Sequence, residues 1–280
     1  MHHPTRTLCL TLGLLTLSSQ ALSADWSLNY IGQQIVASGT TFQGTTVGGL
    51  SGIDFDAATG SYHAISDDRS GINAARFYNL SLNLNQFVRS ATPGSAGVAF
   101  NSVTTLQTPS GTAFAPNTVD PEGIRYNATT QTLVWSNEGQ RSAAGLQNPT
   151  VREMRLDGSH VREFGVPAAY QPAGSVAGTS AGDRGINNNL AFESLTYSVD
   201  GRTLYTATEN ALVQDGPTAS VNNGSRSRIL SFDVATGQAG AEYAYDVSPV
   251  AIAPNPAGQF ATNGLTDLLE IGRASCRERV

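Results

Sequence analysis

The 280-residue sequence contains no lysine, because all 16 of its basic residues are arginine. A P-loop lysine, a Schiff-base lysine and a serine–lysine dyad are therefore excluded. Only 14% of the residues are charged, which is too few for coiled coils or long charged helices. The net charge of −6 argues against nucleic acid as a partner. Hydrophobic residues make up 40% of the chain, so it can bury a core and is not a disordered acidic segment.

Cysteine is almost absent as well. Cys9 lies in an apolar stretch near the start, and Cys276 lies close to the end. If both termini are set aside, the rest of the chain has no disulfide, no thiol nucleophile and no thiolate ligand for zinc. We therefore expect an exported form to be stabilised by its core or by metal ions.

Residues 1–24 are typical of a secretory signal. The apolar run 8–17 is too short to span a bilayer as a helix, and small residues follow it. Cleavage is expected after Ser23 or Ala24. No later segment is long and apolar enough to cross a membrane, so the sequence predicts a secreted or periplasmic protein without a membrane span.

Residues 270–280 differ in composition from the rest, with three arginines and a cysteine in a short stretch. They resemble a translated sequencing adapter; the alternative is a natural basic tail. On the first interpretation the folded domain covers residues 25–269 and the native chain continues differently after it. We expect the full-length protein to be a monomer.

Three segments of the chain align without gaps, at residues 51–67, 122–138 and 193–209. The steps from residue 51 to 122 and from 122 to 193 are both 71 residues. A fourth start is visible at residues 265–268. Each copy reads as a strand, a tight turn and a returning strand, with apolar residues at every second position.

Two further strand-like runs follow each of these hairpins. They lie at residues 75–82 and 98–106, at 151–156 and 162–166, and at 228–234 and 242–245. Four strands in every repeat predict the blades of an all-β propeller, in which long loops at 110–119, 170–189 and 209–227 extend the units. A propeller closes with about four to eight blades, so we expect this one to be incomplete at its C-terminus. The alternative fold is an antiparallel β-sandwich.

Acidic residues recur at both ends of the aligned hairpins, and we call this set the acidic ring. The repeats open with Ser51, Glu122, Glu193 and Thr266, close with Asp67, Glu138 and Glu209, and have Asp267 beside the fourth start. A hairpin brings its ends together, so these carboxylates should meet at one mouth of the channel and repel each other unless a cation binds. Oxygen ligands without histidine or cysteine favour Ca²⁺. The alternative is that each residue solvates a loop or caps backbone amides.

Arginines form a second candidate set. Arg69 and Arg76 follow the first hairpin, and Arg184 lies in a loop that ends at Asn189, just before the third repeat. Guanidinium groups at the acidic mouth would bind a phosphate or carboxylate group as a fork. We therefore predict Arg69, Arg76, Arg184 and Asn189 as substrate-binding residues. The alternative is that Arg69 or Arg184 pairs with a neighbouring aspartate.

A further set of motifs lies at residues 48–54, 65–69, 75–78, 119–124, 135–139, 188–195, 207–209 and 263–268. Together these motifs resemble the family named for the esterase-like activity of phytase. The resemblance implies a β-propeller-like fold, export by bacteria and hydrolysis of the esterase or phytase type. Ser194 stands where the family usually has glycine. The Glu-Arg pair that usually follows the Leu-Thr-Asp strand is absent, and Glu278-Arg279 only imitates it.

The leading hypothesis is a Ca²⁺-assisted hydrolase of phosphate or carboxylic esters, with a small anionic or ester substrate. Glu193 and Glu122 are the predicted catalytic residues, and the predicted metal ligands are Asp67, Glu138, Glu209 and Asp267. A non-catalytic propeller that binds a ligand or a partner is the second hypothesis, because a fold does not determine a function. A lactonase-like or sugar-oxidising propeller is the third.

Overall fold

Strands make up nearly all of the regular structure in the computed structural model, which describes residues 27–271. The predicted signal at 1–24 and all but the first two residues of the predicted tail lie outside the described residues. The strands are β1 Thr41–Phe42, β2 Thr45–Thr46, β3 Leu50–Asp56, β4 Ser61–Ser66, β5 Arg76–Leu82, β6 Val98–Thr105, β7 Pro121–Asn127, β8 Thr132–Asn137, β9 Gln140–Ser142, β10 Gly145–Gln147, β11 Thr150–Arg155, β12 His160–Glu163, β13 Phe192–Tyr197, β14 Thr203–Thr208, β15 Ser225–Asp233 and β16 Ala239–Val247. Two 3-10 helices, Leu84–Gln86 and Ala168–Tyr170, are the only helices in the described part.

Twelve of these strands form three antiparallel four-stranded sheets, which we call blades 1 to 3. Their strand orders are β3-β4-β5-β6, β7-β8-β11-β12 and β13-β14-β15-β16. The remaining strands form two small hairpins, β1-β2 and β9-β10. Each aligned segment of the sequence supplies the first two strands of one blade, and the inner strands β3, β7 and β13 start one repeat apart. The structure confirms the predicted all-β fold of four-stranded blades.

The core lies between neighbouring blades. Ile65 and Phe77 of blade 1 pack with Ile124 and Trp135 of blade 2. On the other side of blade 2, a second cluster joins Val134 to residues of blade 3. Successive side chains of β8 therefore pack alternately into the two clusters, and every residue of this strand is buried. The apolar area removed from water between the blades is the main stabilising contribution.

Hydrogen bonds also join the blades one repeat apart. The backbone N–H of Tyr126 donates to Oδ2 of Asp54 at 2.7 Å, across 72 residues. Between blades 2 and 3, the Arg162 guanidinium donates to the backbone oxygen of Val234 at 2.6 Å, also across 72 residues. Residues about one repeat apart in the sequence are thus in contact in the structure, because equivalent strands of neighbouring blades lie side by side.

The outward sheet faces of blades 1 and 3 are less covered than blade 2. Ile53 and Phe55 on β3 are each 48% exposed, and Tyr243 on β16 is 53% exposed. Leu268 and Leu269 lie in a shallow groove with Tyr243 on the face of blade 3. The middle blade, buried on both faces, is therefore the best-packed part of the described chain.

Candidate metal and catalytic site

A β-bulge recurs near the start of each inner strand. The pairing register shifts around Ser51 in β3, around Glu122 in β7 and around Glu193 in β13. A bulge adds an unpaired residue and redirects its side chain, and such bulges are frequent beside functional sites. The first residue of each predicted repeat therefore lies at a position that the strand does not use for ladder pairing.

Close approach of the inner strands places these bulges next to each other. A Cβ atom added at Gly52 would lie 2.5 Å from the backbone oxygen of Glu122, and one at Gly123 would lie 3.2 Å from that of Glu193. Glycine is required at Gly52 because no side chain fits between two backbones at this distance. Ser51 uses the proximity to donate a short hydrogen bond to the carboxylate of Glu122.

Five carboxylates converge beside the bulges, and we call them the acidic cluster. They form two groups of three, Asp120 with Glu122 and Glu138, and Glu138 with Glu193 and Glu209. Within each group the oxygen atoms lie within 4.8 Å of one another, so each group could hold a metal ion. Asp120, Glu122 and Glu138 are buried, whereas Glu193 and Glu209 are partly buried.

Glu138 belongs to both groups and is only 1% exposed. Its Oε1 accepts the backbone N–H of Ala191 at 2.8 Å, which joins the end of β8 to the start of blade 3. Its Oε2 is buried and has no hydrogen-bond partner among the described residues. A buried carboxylate oxygen without a donor is costly, so this atom marks the place where a cation would contribute most.

The pKa values of the acidic cluster are raised, and burial is the main cause. Burial raises the pKa of Glu138 to about 9 and that of Glu122 to about 10, with a further contribution from the charge of Glu193. The pKa of Glu193 rises to about 7, through burial and the charge of Glu209. Burial raises the pKa of Asp120 to about 6, although the charge of Arg69 opposes this rise. The five groups cannot all be ionised without a counter-charge.

Arg69 is the arginine nearest to this cluster. Its Nε lies 3.4 Å from Oδ2 of Asp120, and its Nη2 donates to Oε1 of Gln140 at 2.8 Å. Its side chain is 29% exposed, whereas its Nε is buried and has no hydrogen-bond partner among the described residues. Gln140 lies on β9, a hairpin that the sequence did not predict. The structure places Arg69 beside the acidic cluster, and its role in substrate binding stays a prediction.

Asp120 was not among the predicted site residues. It lies one residue before β7, outside the aligned repeat, and is 4% exposed. Its backbone N–H donates to Oδ1 of Asn137, and its backbone oxygen accepts the N–H of Glu138 at 2.9 Å. Two sequence signals point to Asp120: it lies in the family motif at residues 119–124, and the following Pro121 restricts it to an extended conformation.

The other predicted metal ligands occupy different positions. Asp67 is exposed, but its charge contributes to the raised pKa values of Asp120 and Glu193, so it lies at the edge of the acidic cluster. Asp267 has a side chain that is 72% exposed and accepts a hydrogen bond from Arg125 at 2.9 Å. It belongs to neither group of three. The ligand role of both residues stays a prediction.

The remaining predicted substrate-binding residues differ in burial. Arg76 is 2% exposed, and its guanidinium donates to Asp68, to the Tyr78 hydroxyl and to the backbone oxygen of Thr46. These contacts favour a structural role for Arg76, because no donor edge faces solvent. Arg184 and Asn189 are both exposed, at either end of the loop before β13. Their binding role stays a prediction.

A Gly-x-Ser-x-Gly sequence occurs at residues 178–182, a spacing that is known from serine hydrolases. It lies in the loop between the second 3-10 helix and β13, with no strand before it and no helix after it. The backbone N–H of the exposed Ser180 donates to Asp183 at 2.8 Å. The strand–turn–helix geometry of a nucleophile elbow is not formed, so this serine is not a candidate nucleophile.

The four-stranded blades and the acidic cluster define a propeller-type protein that carries carboxylates at one end of its inner strands. The model of a phytase-like family, described as esterase-like activity of phytase, matches residues 45–276. The chain therefore belongs to this family, as the sequence motifs predicted. No curated protein sequence matches the chain. No helix of the described residues is long and apolar enough to cross a membrane.

Three solved structures with a similar fold are distant from this chain in sequence. The propeller of Dos1 is 8% identical, with a TM-score of 0.33 over 66% of this chain and 34% of that one. Hydrazine synthase of Kuenenia stuttgartiensis is 13% identical, with a TM-score of 0.35 over 74% and 53%. The periplasmic gluconolactonase of Pseudomonas aeruginosa is 11% identical, with a TM-score of 0.30 over 79% and 62%. The chain thus covers from a third to under two thirds of each, and these likenesses carry no functional argument.

Proposed function

We propose that the chain is an exported hydrolase of phosphate or carboxylic esters whose acidic cluster binds Ca²⁺. The observation that carries this proposal is the sharing of Glu138 by two groups of three carboxylates, with one buried Glu138 oxygen lacking a partner. Hard oxygen ligands suit Ca²⁺, and the cluster includes no histidine or cysteine. The predicted signal at residues 1–24 would direct export.

The residues of the site divide into three roles. Glu138 and Glu209 hold the cation, Asp120 adds negative charge from the other group of three, and Asp67 extends the negative field at the edge. When bound, the cation supplies positive charge to a substrate oxyanion and lowers the pKa of a coordinated water. Arg69 binds the anionic group of the ester from the side of Gln140. Arg76 and Asp267 are left outside the site because their contacts are with the protein itself.

Glu193 is the proposed general base, because it is one of two bulge carboxylates and is less buried than the other, Glu122. It accepts a proton from the attacking water, whose oxygen bonds to the phosphorus or carbonyl carbon of the ester. The ester bond breaks, and the proton that Glu193 accepted passes to the departing alkoxide, so the alcohol leaves and the base is regenerated. A positioned general base contributes roughly 100-fold to 10,000-fold to such a reaction.

The test is hydrolysis of p-nitrophenyl phosphate and p-nitrophenyl acetate by the Ca²⁺-loaded protein and its Glu193→Gln variant. The substitution keeps size and removes charge, so the rate should fall by about 100-fold or more while the melting temperature is retained. Glu163→Gln is the matched control, because Glu163 lies on the outer strand β12, where it pairs with Arg152 at 3.0 Å. Equal rates for the two variants, or no hydrolysis by the unmodified protein, would refute the proposal.

A non-catalytic ligand-binding propeller is the second candidate. A cavity of about 640 Å³ lies between blades 2 and 3, at the end of β7 opposite the acidic cluster, and is lined by Asn127, Glu153 and Arg162 among others. Arg162 is already paired with Glu153 and bound to Val234. Binding of a small molecule there, without hydrolysis of either ester, would favour this second candidate.

A further inference from the structure

We propose that a cavity of about 440 Å³ beside the outer strands of blade 2 binds a neutral, hydroxyl-rich molecule such as a sugar. Small-molecule sites in proteins have volumes of roughly 300–1,000 Å³, so the cavity is large enough for such a ligand. None of the five residues of the acidic cluster lines it. The inference is therefore independent of the proposed hydrolysis and adds a second site to the molecule.

The cavity is formed by blade 2 and by two long loops. Thr150 and Arg152 lie on β11, and Gln147 ends β10. The loops that precede β7 and β13 contribute Thr118 and Gln171. A four-stranded blade needs neither loop, and loops of this length in a compact domain are usually functional.

Three polar atoms of the lining residues are buried without a hydrogen-bond partner in the part of the chain that the structure describes. They are the hydroxyl oxygen of Thr150, Nη1 of Arg152 and Oε1 of Gln147. Thr150 is only 7% exposed. Buried polar groups are nearly always paired, and an unpaired one costs free energy. A molecule that fills the cavity would supply the missing partners.

The guanidinium group of Arg152 is fixed by the protein itself. Its central carbon lies 5.1 Å from the ring centre of Phe114 and 5.6 Å from that of Trp135. Its Nε donates to Glu163 at 3.0 Å, which balances the charge of Arg152 and leaves Nη1 for another acceptor. Because the side chain is already ordered, a ligand that binds to Nη1 meets only a small entropic cost.

The three unpaired atoms indicate the chemical class of the ligand. Arg152 can only donate, Oε1 of Gln147 can only accept, and the Thr150 hydroxyl can do either. A carboxylate group cannot donate to Gln147, and an ammonium group cannot accept from Arg152. A net charge on the ligand would also be buried without a counter-charge, since Arg152 is already paired. Hydroxyl groups both donate and accept, so a neutral molecule with several of them fits all three atoms.

Apolar side chains complete the match to a sugar. Pro149, Phe164 and Val166 line the same cavity. A sugar ring has C–H faces as well as hydroxyl groups, so it can contact these side chains while its hydroxyls bind the polar ones. Small-molecule sites commonly combine apolar walls with a few placed polar groups in this way.

The experiment is isothermal titration calorimetry of the whole chain with D-glucose, D-galactose and D-mannose. We expect at least one of them to bind, and D-glucuronate and D-glucosamine to bind at least about tenfold more weakly because of their charge. Thr150→Val keeps the shape of the side chain and removes its hydroxyl. The affinity should therefore fall by about three- to tenfold, while the melting temperature is retained or rises. Thr105→Val is the matched control, because Thr105 is an exposed strand residue outside the cavity.

Each outcome decides a part of the inference. Arg152→Met should weaken binding by at least about tenfold; if this variant does not fold, Thr150→Val still decides. Equal affinities of the unmodified protein and Thr150→Val would place the sugar elsewhere and overturn the site. No binding of any of the three sugars would leave a cavity that holds water only and overturn the whole proposal. Tighter binding of D-glucuronate or D-glucosamine would overturn the ligand class. None of these results depends on ester hydrolysis, so the proposed function can fail separately.

Discussion

Alanine substitution of Gly52 and Gly123, the glycines beside the bulges of the inner strands, should destabilise the protein, and the loss should be larger at Gly52. At Gly52 a new Cβ would lie 2.5 Å from the Glu122 oxygen and 2.9 Å from the Ile124 nitrogen, both of which are backbone atoms of the next blade. Real Cβ atoms do not approach so closely, so β3 must move away from β7. Overpacking of this kind costs about 1–3 kcal/mol, and rigid backbone on both sides places Gly52→Ala at the upper end.

Gly123→Ala should destabilise the fold less than Gly52→Ala. At Gly123 the nearest atom is the Ser136 hydroxyl oxygen at 3.0 Å, a side chain that can rotate, and the Glu193 backbone oxygen lies at 3.2 Å. Alanine also restricts the unfolded chain, which returns about 0.4–1 kcal/mol. We expect a net loss of about 2 kcal/mol at Gly52 and of about 1 kcal/mol or less at Gly123.

Thermal unfolding measures this series. For a chain of this size each kcal/mol shifts the melting temperature by roughly 2–4 °C, so Gly52→Ala should lower it by roughly 4–8 °C. Gly48→Ala is the control, because its φ is not in the left-handed region and nothing lies within 4 Å of a new Cβ there. Equal melting temperatures for Gly52→Ala and Gly48→Ala would show that the inner strands are not in close contact, and the geometry of the acidic cluster would lose its basis.

Further predictions concern charge. In EDTA the melting temperature should fall as the pH rises from about 5 to about 8, because the raised pKa values of Asp120 and Glu193 mean that the folded state binds more protons than the unfolded state in this window. A flat or rising profile would contradict the raised values. A hundredfold excess of Ca²⁺ over its Kd should then stabilise the fold by about 2.7 kcal/mol, and an unchanged melting temperature would count against a metal site. Arg125→Met should cost about 2–3 kcal/mol in denaturant titration, since Arg125 is buried and donates to the backbone oxygens of Ile53 and Leu268. Arg226→Met, which breaks a largely exposed pair, should leave the midpoint of the titration nearly unchanged, and an equal shift for the two variants would refute the bridging role of Arg125.

The step of 71 residues explains why much of the fold could be predicted. Equivalent residues of neighbouring blades lie side by side, so a repeat in the sequence becomes a contact, as between Ser51 and Glu122. The inner strands, the hairpin turns and the family were predictable because each depends on local pattern or on this spacing. The blade strands predicted at 98–106 and 228–234 are found at Val98–Thr105 and Ser225–Asp233.

Contacts that do not follow the repeat could not be predicted in this way. Asp120 lies outside the aligned segment, and its place beside Arg69 depends on how two loops of different blades meet. The sequence around Arg76 does not distinguish it from an arginine in a loop. In the structure it begins β5 and is buried against the β1-β2 hairpin, where it donates to the backbone oxygen of Thr46. That hairpin has no counterpart in the other repeats, so no internal comparison within the chain could reveal it.

In the inner strands, the residues that set the backbone spacing differ from the residues that present the functional groups. The distance between neighbouring strands at the axis depends on Gly52 and Gly123, whereas the groups presented there belong to the residues just before them, Ser51 and Glu122. One residue in each blade can therefore change without altering the backbone that holds it. Blade 1 already differs in this way, with a hydroxyl where the other two blades carry a carboxylate. Such a framework lets a lineage exchange ligand preference by single substitutions while its architecture is inherited unchanged.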